Sequence, residues 1–212
     1  MDDLRRVAPP ICAYAPERSG APREPRQWLG VADPFYADFF RAGPFKLGAS
    51  SRKRLQGVDP YLVEIVERAI QISKVDFAVH EGLRSTDRQR KLVADGKSRT
   101  MNSMHIRGRA VDLVPWIDGK KRWDWSACYK IAAAMGLAEL EINGARGDRG
   151  KTLIRWGGCW DTRIGVLIET PEPTNPIETM REATRKYRQR TPNAFLDGVH
   201  FEIPLLGVSD KV

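Results

Sequence analysis

The chain has 212 residues, 42% hydrophobic and 29% charged, the balance of a globular protein and not of a disordered or fibrous one. No apolar run approaches the ~20 residues that crossing a bilayer needs, and the start MDDLRRVAPP lacks the basic-then-apolar order of a secretory signal. Three cysteines, Cys12, Cys128 and Cys159, without a CxxC pair, exclude a disulfide framework and a cysteine-rich zinc module. Synthesis in the cytoplasm is expected, with no stable membrane insertion. Any metal has to be held by other ligands.

Lys and Arg outnumber Asp and Glu by 35 to 27, a formal charge of +8. The excess concentrates between Arg84 and Arg109, where eight basic residues face only Asp87 and Asp95. That field suits an anionic wall polymer, a nucleic acid or an anionic membrane. A nucleic-acid reader interleaves aromatics with its basic residues, and none of these eight has an aromatic neighbour in sequence. No nucleic acid is therefore expected as a partner.

The first 50 residues read as a proline-rich extension, partly disordered, because five of the fourteen prolines fall before residue 26. An aromatic cluster from Trp28 to Phe45 reads as a short helix folding back on the main domain or as a separate docking element. Asp59 and Pro60 then form a helix start, and Leu62, Val63, Val66, Ala69 and Ile70 recur on one face until about Ser73. DFAVH, residues 76–80, reads as a buried strand, and Ser85 caps a helix running to Asp95, with Gly96 as terminator.

A polar loop leads to Ser103, a strand covers Arg109 to Val114, and Asp118-Gly119 marks a hairpin turn. A helix is expected from about Ser126 to Met135, ended by Gly136, and a strand over Lys151–Trp156. Residues 162–195, with four prolines and the charged helical piece IETMREATRKYRQR, read as a long loop or lid. GVHFEIP, residues 198–204, alternates apolar Val199, Phe201 and Ile203 with polar His200 and Glu202, giving one buried face and one working face. Strands and helices mix without regular alternation. The expected fold is therefore α+β, one domain over about residues 51–208, with a small, mostly antiparallel sheet flanked by helices.

Only His80, His105 and His200 are available as imidazoles. His105 is followed seven residues later by Asp112 on a strand, and Gly108 between them permits a sharp turn. His200 lies three residues after Asp197. Two imidazoles and a carboxylate would leave a tetrahedral zinc ion one open position, as a hydrolytic site requires. Asp197 is the candidate base for water, and Arg84 a fixed cation for an oxyanion. Each also has a plain structural reading: Asp112 paired with an arginine, Asp197 shaping a turn, Arg84 capping a strand end. HExxH, GxSxG and phosphate-loop motifs are absent. Cys128 reads as core, and Cys159 as a nucleophile would need a histidine that the zinc reading already uses.

SMHIRGRAVDL resembles the SxHxxGxAxDL motif of the zinc D-alanyl-D-alanine carboxypeptidase family, which includes vancomycin-resistance D,D-peptidases and phage L-alanyl-D-glutamate endopeptidases. EGLRSTDRQRKLVADG resembles the family's GxRSxxxQxxL block, GKSRTMNS its approach to the first ligand, IRWGGCW its WGGxW turn and DGVHFEI its terminal DxxHxE. The likeness covers about residues 51–206 and is nearest to the phage endolysins. It implies a hedgehog- or D,D-peptidase-like fold, with zinc held by His105, Asp112 and His200, Asp197 as general base and Arg84 stabilising the tetrahedral intermediate. Ser103 and Gln89 match substrate-binding positions, the turn from Trp156 to Trp160 one wall of the groove, and Glu202 a partner that orients a ligand. Cys159 stands where the endolysins often carry Asp.

The implied activity is zinc-dependent hydrolysis of a stem-peptide amide in bacterial peptidoglycan, L-Ala–D-Glu first, by a monomer acting at the cell wall, in the periplasm or on the outer face. The alternatives are a D,D-carboxypeptidase releasing terminal D-Ala and a non-enzymatic zinc-stabilised binder of wall or nucleic acid. A binder that had lost hydrolysis would be expected to lack Asp197 or Arg84, and both are present.

Overall fold

The computed structural model describes residues 36–148, 151–169 and 174–205. Residues 1–35 of the proline-rich start, including Trp28, lie outside these. The second half of the aromatic cluster does fold back: α1 (Ala37–Phe40) is a single turn, and Tyr36, Phe40 and Leu47 are buried in the main core. The packed unit therefore reaches upstream of residue 51.

After α2 (Ala49–Arg54), α3 (Pro60–Ile72) begins where the sequence indicates: Asp59 Oδ1 accepts the Tyr61 N–H at 3.0 Å, and Pro60 needs no partner there. Leu62, Ile65, Val66, Ala69 and Ile70 form its buried stripe. β1 (Phe77–Glu81) follows, then α4 (Thr86–Ala94), capped by the Ser85 hydroxyl. β2 (Ala110–Ile117) turns through Asp118 and Gly119, both at positive φ as a tight hairpin demands, into the two-residue β3 (Lys120–Lys121).

α5 (Trp125–Arg146) corrects the sequence reading. It passes straight through Gly136 and ends eleven residues later at Gly147. Gly136 is a contact, not a terminator: a Cβ there would lie 2.5 Å from Ile168 Cδ1. The run IAAAMGLA, residues 131–138, is buried, and its small side chains let α5 sit between the sheet and the outer helices, touching β2, α3 and two further helices. Those are α6 (Ile164–Ile168) and α7 (Pro176–Arg190). The described residues of 162–195 are thus largely helical rather than a loop, and Met180, Ala183 and Tyr187 tie α7 into the core.

The expected strand over 151–156 shrinks to β4 (Arg155–Trp156), because the backbone N–H groups of Leu153 and Ile154 donate to the Glu139 carboxylate instead of to a neighbouring strand. β5 (Cys159–Arg163) and β6 (His200–Glu202) complete one antiparallel sheet of order β1-β2-β6-β4-β5, with β3 paired to β2. The fold is α+β, as expected. β6 enters between β2 and β4, so the last strand in sequence is central in space. Among the described residues no helix is long and apolar enough to cross a membrane.

Candidate metal centre

Asp112 and His200 stand directly opposite each other in the β2–β6 register. Directly opposed residues in an antiparallel pair share a face, so the two side chains converge. His105 arrives from a 3-10 turn, Met104–Arg107, in which the Ser103 hydroxyl accepts the His105 N–H at 3.3 Å. Gly108 closes that turn at φ +65°, and a Cβ there would stand 2.2 Å from the Gly57 carbonyl oxygen. Only glycine lets the chain drop from the turn into β2 at that point.

The carbonyl of Gly82 can only accept, so its 2.7 Å contact with His105 Nδ1 puts the proton on Nδ1 and a lone pair on Nε2. His200 Nε2 lies 3.0 Å from the Glu202 carboxylate, which likewise leaves the lone pair on Nδ1. Three lone-pair atoms then meet: His105 Nε2, His200 Nδ1 and Asp112 Oδ1, 3.1 to 3.2 Å apart in every pairing. With metal–ligand distances of about 2.0–2.1 Å, the edge of a zinc tetrahedron is about 3.3 Å. The triangle is that of three ligands around one cation, and the carboxylate–imidazole and carbonyl–imidazole contacts behind it are those that fix ligand tautomers.

The surrounding charges agree. Burial resists a charge on His200, but hydrogen bonds to the Asp112 and Glu202 carboxylates outweigh it and carry the imidazole up to about 10. Burial likewise opposes charge on Asp112 and is overridden by the two histidines, which hold its carboxyl well below the usual range. Glu202 follows the same pattern, brought down to about 2 by His200 and Arg155. The carboxylates of Asp112 and Glu202 thus make this pocket favour positive charge.

Asp197 precedes β6 by a turn in which its carbonyl accepts the His200 N–H at 3.2 Å. Burial raises its carboxyl pKa, and the Asp112 charge adds to that effect while His200 opposes it. Its N–H donates to the Gly157 carbonyl at 2.9 Å, tying the Trp156–Trp160 turn to Asp197.

Arg84 is buried, with one Nη 2.7 Å from Gln89 Oε1 and the other paired with Glu81 and 3.7 Å from Asp112 Oδ2. Its Nε is buried without a hydrogen-bond partner among the described residues. The guanidinium is thus fixed at the rim of the triad with one donor left over.

Two of the sequence expectations change. Gln89 has no exposed surface, and its amide is occupied by Arg84, Ser98 at 2.8 Å and the Thr100 carbonyl at 2.6 Å. It clamps Arg84 and the following loop and has no face for substrate. Trp156 is also fully buried, donating to the Gly198 carbonyl at 2.9 Å and stacking on Phe201. Only Trp160 borders the centre, its ring 5.4 Å from the His200 ring and its Nε1 2.7 Å from the Phe195 carbonyl. Cys159 is buried, with Sγ 3.2 Å from Asp161, and so faces away from the groove.

Sequence reasoning missed Glu81, which anchors both Arg84 and Arg88; the three lie on a strand end, a loop and a helix, so no single periodicity joined them. Arg155, which grips Glu202 from β4, and Arg99, which lies over the Phe195 ring at 5.1 Å, had no local signal at all.

A family model described as phage L-alanyl-D-glutamate peptidase matches residues 43–167. The L-alanyl-D-glutamate peptidase of Escherichia phage T5 is 31% identical over 121 residues, 55% of this chain and 82% of that relative. Among solved structures, the Serratia marcescens L-Ala D-Glu endopeptidase ChiX is similar at 31% identity and a TM-score of 0.52, over 76% of this chain and 92% of that one. With a triangle of residues able to hold a metal ion and these likenesses in agreement, the chain belongs to the phage L-alanyl-D-glutamate peptidase family.

Proposed function

We propose that this peptidase hydrolyses the L-Ala–D-Glu amide of peptidoglycan stem peptides, with zinc held by His105, Asp112 and His200. The observation that supports this most directly is the triangle of three donor atoms, 3.1 to 3.2 Å apart, with the Arg84 guanidinium 3.7 Å from Asp112. Zinc, when bound, supplies a Lewis acid that brings the pKa of water to about 7 and polarises an amide carbonyl. Asp197 takes the proton of the attacking water. Its burial makes it a stronger base than an exposed aspartate, and the proton it gains is then available to the departing D-Glu nitrogen. Arg84, held rigid by Glu81 and Gln89, offers its guanidinium to the oxyanion that develops on the carbonyl. Ser103 shapes the turn that delivers His105, and Trp160 limits the groove beside His200.

The +8 charge suits a catalyst that meets an anionic wall. The site of action is then the cell wall, and one chain contains every residue the reaction uses, so a monomer suffices. Digestion of purified peptidoglycan followed by mass spectrometry tests the bond. New N-terminal D-Glu is expected; free D-Ala instead would mark a D,D-carboxypeptidase, and no release of either would overturn the hydrolytic reading.

A further inference from the structure

Three indoles within ten residues face solvent: Trp116 at 39%, Trp123 at 65% and Trp125 at 38% exposure. Leaving so much aromatic surface in water forfeits burial energy, and such a cluster marks a surface that is covered in use. None of the three holds the cation or orients a ligand to it.

Their placement is specific. Trp116 lies four residues beyond Asp112 on the same face of β2, with Lys121 directly opposite it in β3. Lys121 Nζ reaches His80 Nδ1 at 3.0 Å, and the His80 ring meets Trp123 edge-on, centroids 5.9 Å apart. Trp125 opens α5 with its ring against Tyr129 and Trp156 and beside Gly198, the neighbour of Asp197. His80 precedes Glu81, the residue opposite Asp112 in the β1–β2 pairing, so this aromatic wall reaches toward the site through Trp123 and His80, while Trp125 meets the chain beside Asp197.

We propose that this wall seats the sugar of the glycan strand to which the stem peptide is attached, with Trp123 as the main stacking face. The inference rests on the peptidoglycan reading above and extends it. In that polymer the L-Ala nitrogen is acylated by the lactyl arm of an N-acetylated hexosamine. Cutting the next amide brings a pyranose within two short chain units of the scissile carbonyl, roughly 7 Å at about 3.3–3.6 Å per unit. A pyranose presents C–H groups on its faces, which an indole covers, and hydroxyl and acetamido groups at its rim. His80 and Lys121 supply polar partners for that rim. An anionic lipid surface also accepts tryptophan beside lysine, but Trp123 is joined through His80 to the strand pair that carries Asp112, and the sugar is covalently tied to the bond being cut.

The test compares two substrates of the zinc-loaded protein: a disaccharide-linked stem peptide and the same peptide without its sugars. Trp123→Ala should lower kcat/KM on the sugar-linked peptide about tenfold, the worth of about 1.4 kcal/mol of stacking. Cleavage of the sugar-free peptide should stay within twofold, and Trp123→Phe should restore most of the loss. In a second measurement, glycan strands stripped of peptide should quench the intrinsic fluorescence of the wild type and bind about tenfold more weakly to Trp123→Ala. Equal losses on both peptides, or binding to phosphatidylglycerol vesicles without binding to the stripped strands, would overturn the proposal. Glycan binding by a protein that cuts neither peptide would uphold the sugar site and discard the bond assignment; cleavage of both peptides with no glycan binding would do the reverse.

Discussion

The Glu202 carboxylate accepts the Nε2–H of His200 at 3.0 Å while the Arg155 guanidinium holds it from β4. That pair fixes which imidazole nitrogen faces the cation. Glu202→Gln keeps the shape and removes the charge, so zinc affinity should fall about 10- to 100-fold. Competition against a chelator measures it; an unchanged affinity would mean that His200 is oriented without Glu202.

Asp197 and the ligands should separate cleanly in a metal assay. Asp197→Asn should retain about one zinc per chain while turnover falls about 10²- to 10⁴-fold. His105→Ala should lose metal and activity together, because two donors remain of three. A fully metallated His105→Ala protein, or an active Asp197→Asn protein, would contradict the assignment concerned.

Gly108 offers a mechanical test of the same centre. An alanine there would meet the Gly57 carbonyl at 2.2 Å in a left-handed backbone, so Gly108→Ala should cost about 1–3 kcal/mol from backbone strain alone, with the clash in addition. Because the turn it ends carries His105, zinc affinity should fall with it. Thermal melts with and without zinc, and a zinc titration, read both effects; an unchanged melting temperature and affinity would show that the backbone relaxes at no cost.

The triad was legible in the sequence because its parts lie on short, strongly patterned segments: a capped turn, a strand entered through a glycine and a strand of alternating character. What was not legible depends on packing that no local pattern announces. Gly136 looks like a terminator until α6 supplies Ile168 to fill the space it leaves. Gln89 matches a substrate-binding position until Arg84 and Thr100, five and eleven residues away, close over it. Trp156 looks like a groove wall until Phe201, forty-five residues on, stacks beneath it. For Gly136 and Trp156 the deciding partner was remote in sequence; for Gln89 it was near, but joined through loops without a periodic pattern.

Glu139 should impose a pH dependence on stability that is independent of catalysis. It is fully buried in α5, and burial raises its carboxyl to about 7 despite hydrogen bonds from Leu153, Ile154 and Tyr61. The unfolded chain releases this proton near 4.3, so between the two values the folded state binds more protons than the unfolded one. Its contribution to stability is therefore greatest below about pH 4.5 and declines as pH rises toward 7, by up to about 3 kcal/mol. Melting temperatures across that window should fall more steeply for the wild type than for Glu139→Gln; parallel curves would refute it.

The central position of β6 makes the triangle depend on the last strand in sequence. His105 and Asp112 are made early, but their third companion lies 88 residues beyond Asp112, on the strand that joins β2 to β4. A fragment broken off before residue 200 would carry two donors of the three and would lack the strand that bridges the two parts of the sheet.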